Sequence, residues 1–346
     1  MFEVLRFNDK LPSGRLSLVC LGFFLAALSA CDSSNNTAQN GGVQTFVRPF
    51  GPEAPWNLPV VGLQRHPESD QFVQRLWNEA SDRPGNFNLT FSGYTYPIYH
   101  ADQATGMFPV ETNSDSNIDG TMIPWNPAWR PATGSDAQVI ILDPETGREW
   151  DLFDTSFDGK TIRATNGSLV PGDYRTKEDG HPPSRGAGIP YLAMLVRPEE
   201  IAQGNIQHAL SMPIRNTDGE FFVPPATKLE FPDQPPGGIP EGMRFALDVS
   251  DQEIDQWLAS LPDVLPEASR ESARIIARAL RDYGWFITDT SGSAHLQFED
   301  RLTAQTPWLV LGLGEEDVGS KSYPQDLLDG LLQMERIYTI VPSDQY

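Results

Sequence analysis

Proline and glycine punctuate this chain so densely that few regular segments can run far. Its 346 residues hold 30 prolines and 29 glycines. Each proline removes a backbone donor, and each glycine admits left-handed turns that other residues avoid. Such a sequence favours short strands joined by tight turns, and hairpins are its natural local connections. Ala137–Leu142 reads as a buried strand, Asp143-Pro-Glu-Thr-Gly147 as a turn, and Arg148–Phe153 as the returning strand. Phe157-Asp-Gly-Lys160 makes a second turn into Thr161–Ala164. Further strands are expected within Asn86–Tyr99, at Ile206–Met212, Arg244–Leu247 and Trp285–Thr288, and at Ile337–Val341. Residues 168–186 and the proline-rich stretch 224–240 read as loops. Helical spacing is confined to Glu68–Ala80, Glu267–Tyr283 and Gln325–Arg336. Glu267–Tyr283 is the longest of these, with Ala273, Ile276, Ala277 and Leu280 on one face, Pro266 before it and Gly284 after it. The predicted fold is mostly β with a few helices, an antiparallel β-sandwich of jelly-roll type, with mixed α+β as the alternative.

Charge and cysteine content narrow the function classes. Twenty-five basic residues against 47 acidic ones leave a net charge of −22, a field that opposes nucleic acid. Gly312-Leu-Gly314 and Gly319-Ser-Lys-Ser322 have a glycine-rich look. However, Glu315, Glu316 and Asp317 lie between them and would repel phosphates, so no nucleotide is expected. The only cysteines are Cys20 and Cys31. No Gly-x-Ser-x-Gly, HExxH or CxxC motif occurs, so the common serine-hydrolase, zinc-protease and thiol-redox signatures are missing.

The first 31 residues have the layout of a secretory signal. Arg6, Lys10 and Arg15 precede an apolar run from Leu16 to Ala27, and small residues lead into Cys31. A run of about a dozen apolar residues is short for a membrane span. Leu28-Ser-Ala-Cys31 resembles the lipobox of bacterial lipoproteins. That resemblance implies cleavage before Cys31, a diacylglyceryl group on its thiol, and anchoring in a membrane. Asp32, directly after the cysteine, implies retention at the inner membrane facing the periplasm. Residues 31–45 then read as a flexible tether, and 46–346 as a single globular domain with no disulfide. Several blocks of that domain together resemble a group of secreted bacterial proteins without an assigned reaction. They are Tyr96-Pro-Ile-Tyr99, Asp143–Asp151, Gly186-Ala-Gly-Ile-Pro190, Arg197-Pro-Glu-Glu200, His208-Ala-Leu210 and Arg278–Gly284.

Three sets of residues suggest chemistry. His208 lies in an apolar strand, Tyr283 ends the long helix, Glu299 follows a short strand and Arg185 sits in a glycine-rich turn. A histidine or tyrosine acting as acid or base, with an arginine neutralising a uronate, is the equipment for β-elimination of an acidic polysaccharide. Paired carboxylates would suit glycoside hydrolysis instead. His208 as a hydrogen-bonded core histidine, and Tyr283 as the packed end of a helix, are the competing readings. Asp115-Ser-Asn117-Ile-Asp119-Gly120 matches the first half of a calcium loop, although Asn126 occupies the position of the bidentate glutamate and Pro124 opposes a following helix, so Ca2+ competes with a simple polar turn. Tyr94, Tyr96, Tyr99, Trp125, Trp129 and Trp150 cluster within residues 94–150. Of these, Tyr96, Tyr99 and Trp150 are the candidate sugar-stacking rings, with core packing as the competing use. The expected activity is on an envelope or environmental polysaccharide, of lyase or glycoside hydrolase type. The alternative is a non-catalytic lipoprotein that binds a glycan or an envelope partner.

Overall fold

A computed structural model describes residues 48–174 and 182–343. The signal, Cys31 and the whole tether lie outside the described residues. Within them the protein is strand-rich, with eighteen short strands and five α-helices, and no helix is long and apolar enough to cross a membrane.

Three four-stranded sheets organise the strands. In the first, Leu210–Ile214 lies beside Trp285–Thr290, followed by Arg244–Leu247 and Ile337–Ile340. The second runs Ile98–His100, Val139–Leu142, Glu149–Phe153 and Asn166–Val170, and the third Met122–Trp125, Gly106–Thr112, Ile162–Ala164 and Ser156–Phe157. The predicted hairpin is present, with Val139 opposite Leu152 and Leu142 opposite Glu149. Pairing is not uniformly antiparallel. Leu210–Ile214 runs parallel to Trp285–Thr290, Ile98–His100 to Val139–Leu142, and Asn88–Thr90 to His295–Gln297. Parallel neighbours need long crossovers, and these connections give the mixed α+β arrangement in place of a hairpin-linked jelly roll.

The helix Glu267–Asp282 forms where its periodicity indicates. It buries Ala273, Ile276, Ala277 and Leu280 and packs on the Arg244–Leu247 strand. Gly284 stops it with φ +69, and any Cβ there would lie 2.0 Å from the Phe245 carbonyl oxygen, so glycine is required both for the turn and for the close approach. Gln325–Arg336 is a series of turns rather than a helix, with only a 3-10 turn at Met334–Arg336. Gly330, inside the segment at φ +79, breaks it up. Three helices lie outside the predicted segments, the short Pro198–Ala202 and two longer ones. Asp251–Ser260 carries a capping box in which the Ser250 hydroxyl accepts from the Glu253 N–H and the Glu253 carboxylate accepts from the Ser250 N–H. Arg301–Val310 contains Pro307, and the Asp300 carboxylate caps it.

The largest core fills the space around the first sheet, and its aromatic centre is Phe91, Phe298 and Trp308, with ring centroids 4.6–5.8 Å apart. A second cluster, including Trp125, Val139, Ile141 and Leu152, joins the second and third sheets. Phe298 is fully buried. Its truncation in F298A is expected to cost about 3–5 kcal/mol, measurable as a lower denaturant midpoint with an unchanged slope.

Candidate functional site

The cleft that opens between these sheets has a volume of about 770 Å³. It lies at the carboxyl end of the parallel strand pair Leu210–Ile214 and Trp285–Thr290, the end where open sheets leave room for a ligand. Pro213 cannot donate to the ladder, and the register slips by one residue between Met212 and Ile214, so that Ile214 faces Thr290. This bulge turns Asp289 out of the apolar strand and into the cleft wall.

Glu230, from the proline-rich loop, meets Asp289 there in a side-chain hydrogen bond. The Thr290 N–H lies 2.6 Å from Glu230 Oε2 and 3.0 Å from Asp289 Oδ1, and the Gly186 N–H donates to Asp289 Oδ2 at 3.2 Å. A Cβ at position 186 would sit 2.2 Å from Asp289 Oδ1 and 2.5 Å from Glu230 Cδ. Only glycine leaves space for the pair. Burial first, then the Asp289 charge, push Glu230 up to about 10, so it holds a proton at neutral pH beside a second carboxyl group. Glu241, whose Oε2 accepts from the Glu230 N–H, is raised to about 7 by burial and by Asp289. Asp136 is the third carboxyl lining the cleft. It accepts from Ser135 Oγ and Gln138 Nε2, and burial raises it above the usual aspartate range.

Beneath this wall lies Arg185, fully buried. Its guanidinium donates to Ser211 Oγ at 2.8 Å, to Gln297 Oε1, and to the carbonyls of Tyr191 at 2.8 Å and Ala193 at 3.2 Å, and it stacks over the Tyr96 ring. Gln297, with its oxygen held by Arg185, points Nε2 at the Tyr94 carbonyl, 3.1 Å away. Tyr94 takes φ +51, strained for a tyrosine, and its ring stands over Gly134, half exposed on the cleft rim. A second carboxyl pair, Glu149 and Asp151, is wholly buried on the adjoining strand. It accepts the N–H groups of Leu192 and Tyr191. Burial raises Glu149 well above its usual range and Asp151 to about 7.

The residues singled out in the sequence are mostly elsewhere. His208 does not line the cleft: Nε2 lies 2.9 Å from Glu200 and Nδ1 2.7 Å from the Ala209 carbonyl, both buried. Burial opposes its protonation, but Glu200 outweighs that and raises its pKa. The pair braces the capped start of the Pro198–Ala202 helix. Tyr283 packs its ring against the cluster around Ala187 and Ile189, and its carbonyl accepts from Arg244. Glu299, raised to about 7 by burial, accepts from Thr303 Oγ1 at 2.7 Å. Arg185 belongs to the floor, with no face exposed to a uronate.

Of the aromatic candidates, Tyr96 reaches the cleft, stacked on Tyr191 at 4.2 Å, with burial holding its hydroxyl protonated. Tyr99 stacks on Trp129 at 4.8 Å, and Trp150 lies in the core of the second and third sheets; neither lines the cleft. Around the proposed calcium loop, Asp119 accepts from the Thr112 N–H, and Asn117 clamps Leu169 through both its N–H and C=O. With Asp115 exposed, the segment is a backbone-stapling turn, and the described residues include no group of three His, Cys, Asp or Glu able to hold a metal ion. Asp289 and Glu230 were missed because a carboxylate ending an apolar strand and one in a proline-rich loop share no local motif. The glycine of Arg185-Gly186 was the available signal.

Compared with family models, with curated proteins and with solved structures, the chain matches none. Its chemistry therefore rests on its own geometry.

Two measurements test the carboxyl pair. A group whose folded pKa is raised stabilises fully below its unfolded value, and that stabilisation is lost as pH rises. Glu230 should therefore cost stability between pH 4.5 and about 10, with a slope of at most about 1.4 kcal/mol per pH unit. In denaturant titrations across that range, E230Q is expected to show the shallower decline. G186A should separate the carboxyls, and a carbon-13 titration should then find Glu230 displaced toward its ordinary value of 4.5.

Proposed function

We propose that this protein is a lipid-anchored envelope protein whose extracytoplasmic domain hydrolyses a glycosidic bond in the cleft above Arg185. The observation that carries the reading is a proton-holding Glu230 bonded to Asp289 inside a cleft of about 770 Å³, with the exposed rings of Tyr94 and Phe231 on its rim. Rings so placed can stack on sugar faces.

In this reading Glu230 is the general acid. It passes its proton to the leaving glycosidic oxygen as the bond to the anomeric carbon breaks, while Asp289 accepts the remaining hydrogen bonding of the pair. Asp136 takes a proton from the water that attacks that carbon, and exchange with solvent restores both groups. Glu230 and Asp289 touch, whereas an acid and a nucleophile or base across a sugar ring stand about 5–10 Å apart. They therefore act as one unit, and Asp136 supplies the second. Hydrolysis is favoured over β-elimination because the arginine expected to neutralise a uronate is buried beneath the floor.

Activity should fall on the acid side as Asp136 protonates, above the usual aspartate range, and on the alkaline side as Glu230 loses its proton near pH 10. On a polysaccharide found by product screening, E230Q and D289N should lower turnover about 100-fold or more while oligosaccharide binding persists. Unchanged turnover in both variants would contradict the assignment. Binding without any product would favour the non-catalytic glycan-binding alternative. For the anchor, C31S in a bacterial host should move the protein from membranes to the soluble fraction and remove the lipid from its mass. Continued membrane association would contradict it.

A further inference from the structure

We infer that the cleft selects glycans free of carboxylate and sulfate groups. The inference rests on the glycan reading above and adds the charge class of the ligand.

Carboxyl groups outnumber lysine and arginine side chains on the wall. Asp289 and Asp136 present carboxyl groups to it, and Gln138 lines it as well. Gln138 is 5% exposed, and its Oε1 has no hydrogen-bond partner while Nε2 is held by Asp136. Ionised carboxyl groups on the wall only accept hydrogen bonds, so they favour a ligand that donates. Sugar hydroxyls donate; carboxylates and sulfates cannot. Among the described residues, Lys228 is the only lysine or arginine lining the cleft, and it shares its surroundings with Glu241. Arg185, in the floor, is fully buried, with its two terminal nitrogens bonded to protein oxygens. An anionic chain would bring charge against Asp136 and Asp289 in a domain whose chain already carries −22, and like charges brought together at a binding site oppose the wrong partner. The rings of Tyr94 and Phe231 offer stacking that does not depend on ligand charge.

The test is calorimetric titration of the folded domain at neutral pH, at low and high salt. One set of ligands is cellohexaose, xylohexaose, mannohexaose and laminarihexaose; the other is hexamannuronate and hexagalacturonate. At least one neutral hexasaccharide should bind about tenfold or more tighter than either uronate. D136N should narrow that gap by admitting uronates, with the narrowing largest at low salt. A uronate that binds more tightly than every neutral chain overturns the inference and leaves the glycan reading standing. Failure of both sets to bind, with the domain folded by circular dichroism, overturns the glycan reading itself.

Discussion

A guanidinium that water does not reach fixes the geometry of this domain's cleft. Burying a cation is costly unless hydrogen bonds and counter-charge replace its hydration. Arg185 finds Ser211, Gln297 and the carbonyls of Tyr191 and Ala193, and the Glu149 and Asp151 carboxyl pair lies within its field. Its position dictates the orientation of its neighbours. Because arginine only donates, the Gln297 amide must turn its oxygen inward. Its nitrogen then faces the Tyr94 carbonyl and helps hold a strained aromatic residue on the rim. The next residue in the chain, Gly186, is left with its N–H on Asp289.

The carboxyl pair follows from that placement together with a defect in the sheet. Pro213 and the register slip beside it release Asp289 from regular pairing, and the missing side chain at Gly186 admits Glu230 alongside. The Thr290 N–H then serves both carboxyls. Two acids in contact with little water cannot both ionise easily, so a proton remains between them. The buried Glu149 and Asp151 repeat the chemistry for a structural end, binding the backbone at Tyr191 and Leu192. The difference is access, since only the Glu230 and Asp289 pair faces the cleft.

What could be read from the sequence was local. The Val139–Phe153 hairpin declares itself through an apolar run, a proline-glycine turn and a return strand. The helix ending at Asp282 does so through its period and its flanking Pro266 and Gly284. Parallel pairings such as Leu210 with Trp285 join residues 75 apart in number, and no turn motif announces them. The same separation hid the site. Arg185 was singled out as a contact for substrate, yet its neighbours at 211 and 297 make it a buried brace. His208 looked catalytic in an apolar stretch, and Glu200, eight residues before it, gives it a structural partner. Asp136, Glu230 and Asp289 converge only after the three sheets and the proline-rich loop are assembled.

The central claim is that this assembly keeps a proton on Glu230 beside Asp289. Carbon-13 carboxyl spectra of the labelled domain, compared with those of E230Q, address it directly. The account predicts a carboxyl resonance, lost in the variant, that stays protonated throughout the neutral range and titrates near pH 10. A Glu230 resonance already ionised in mildly acidic solution would contradict it.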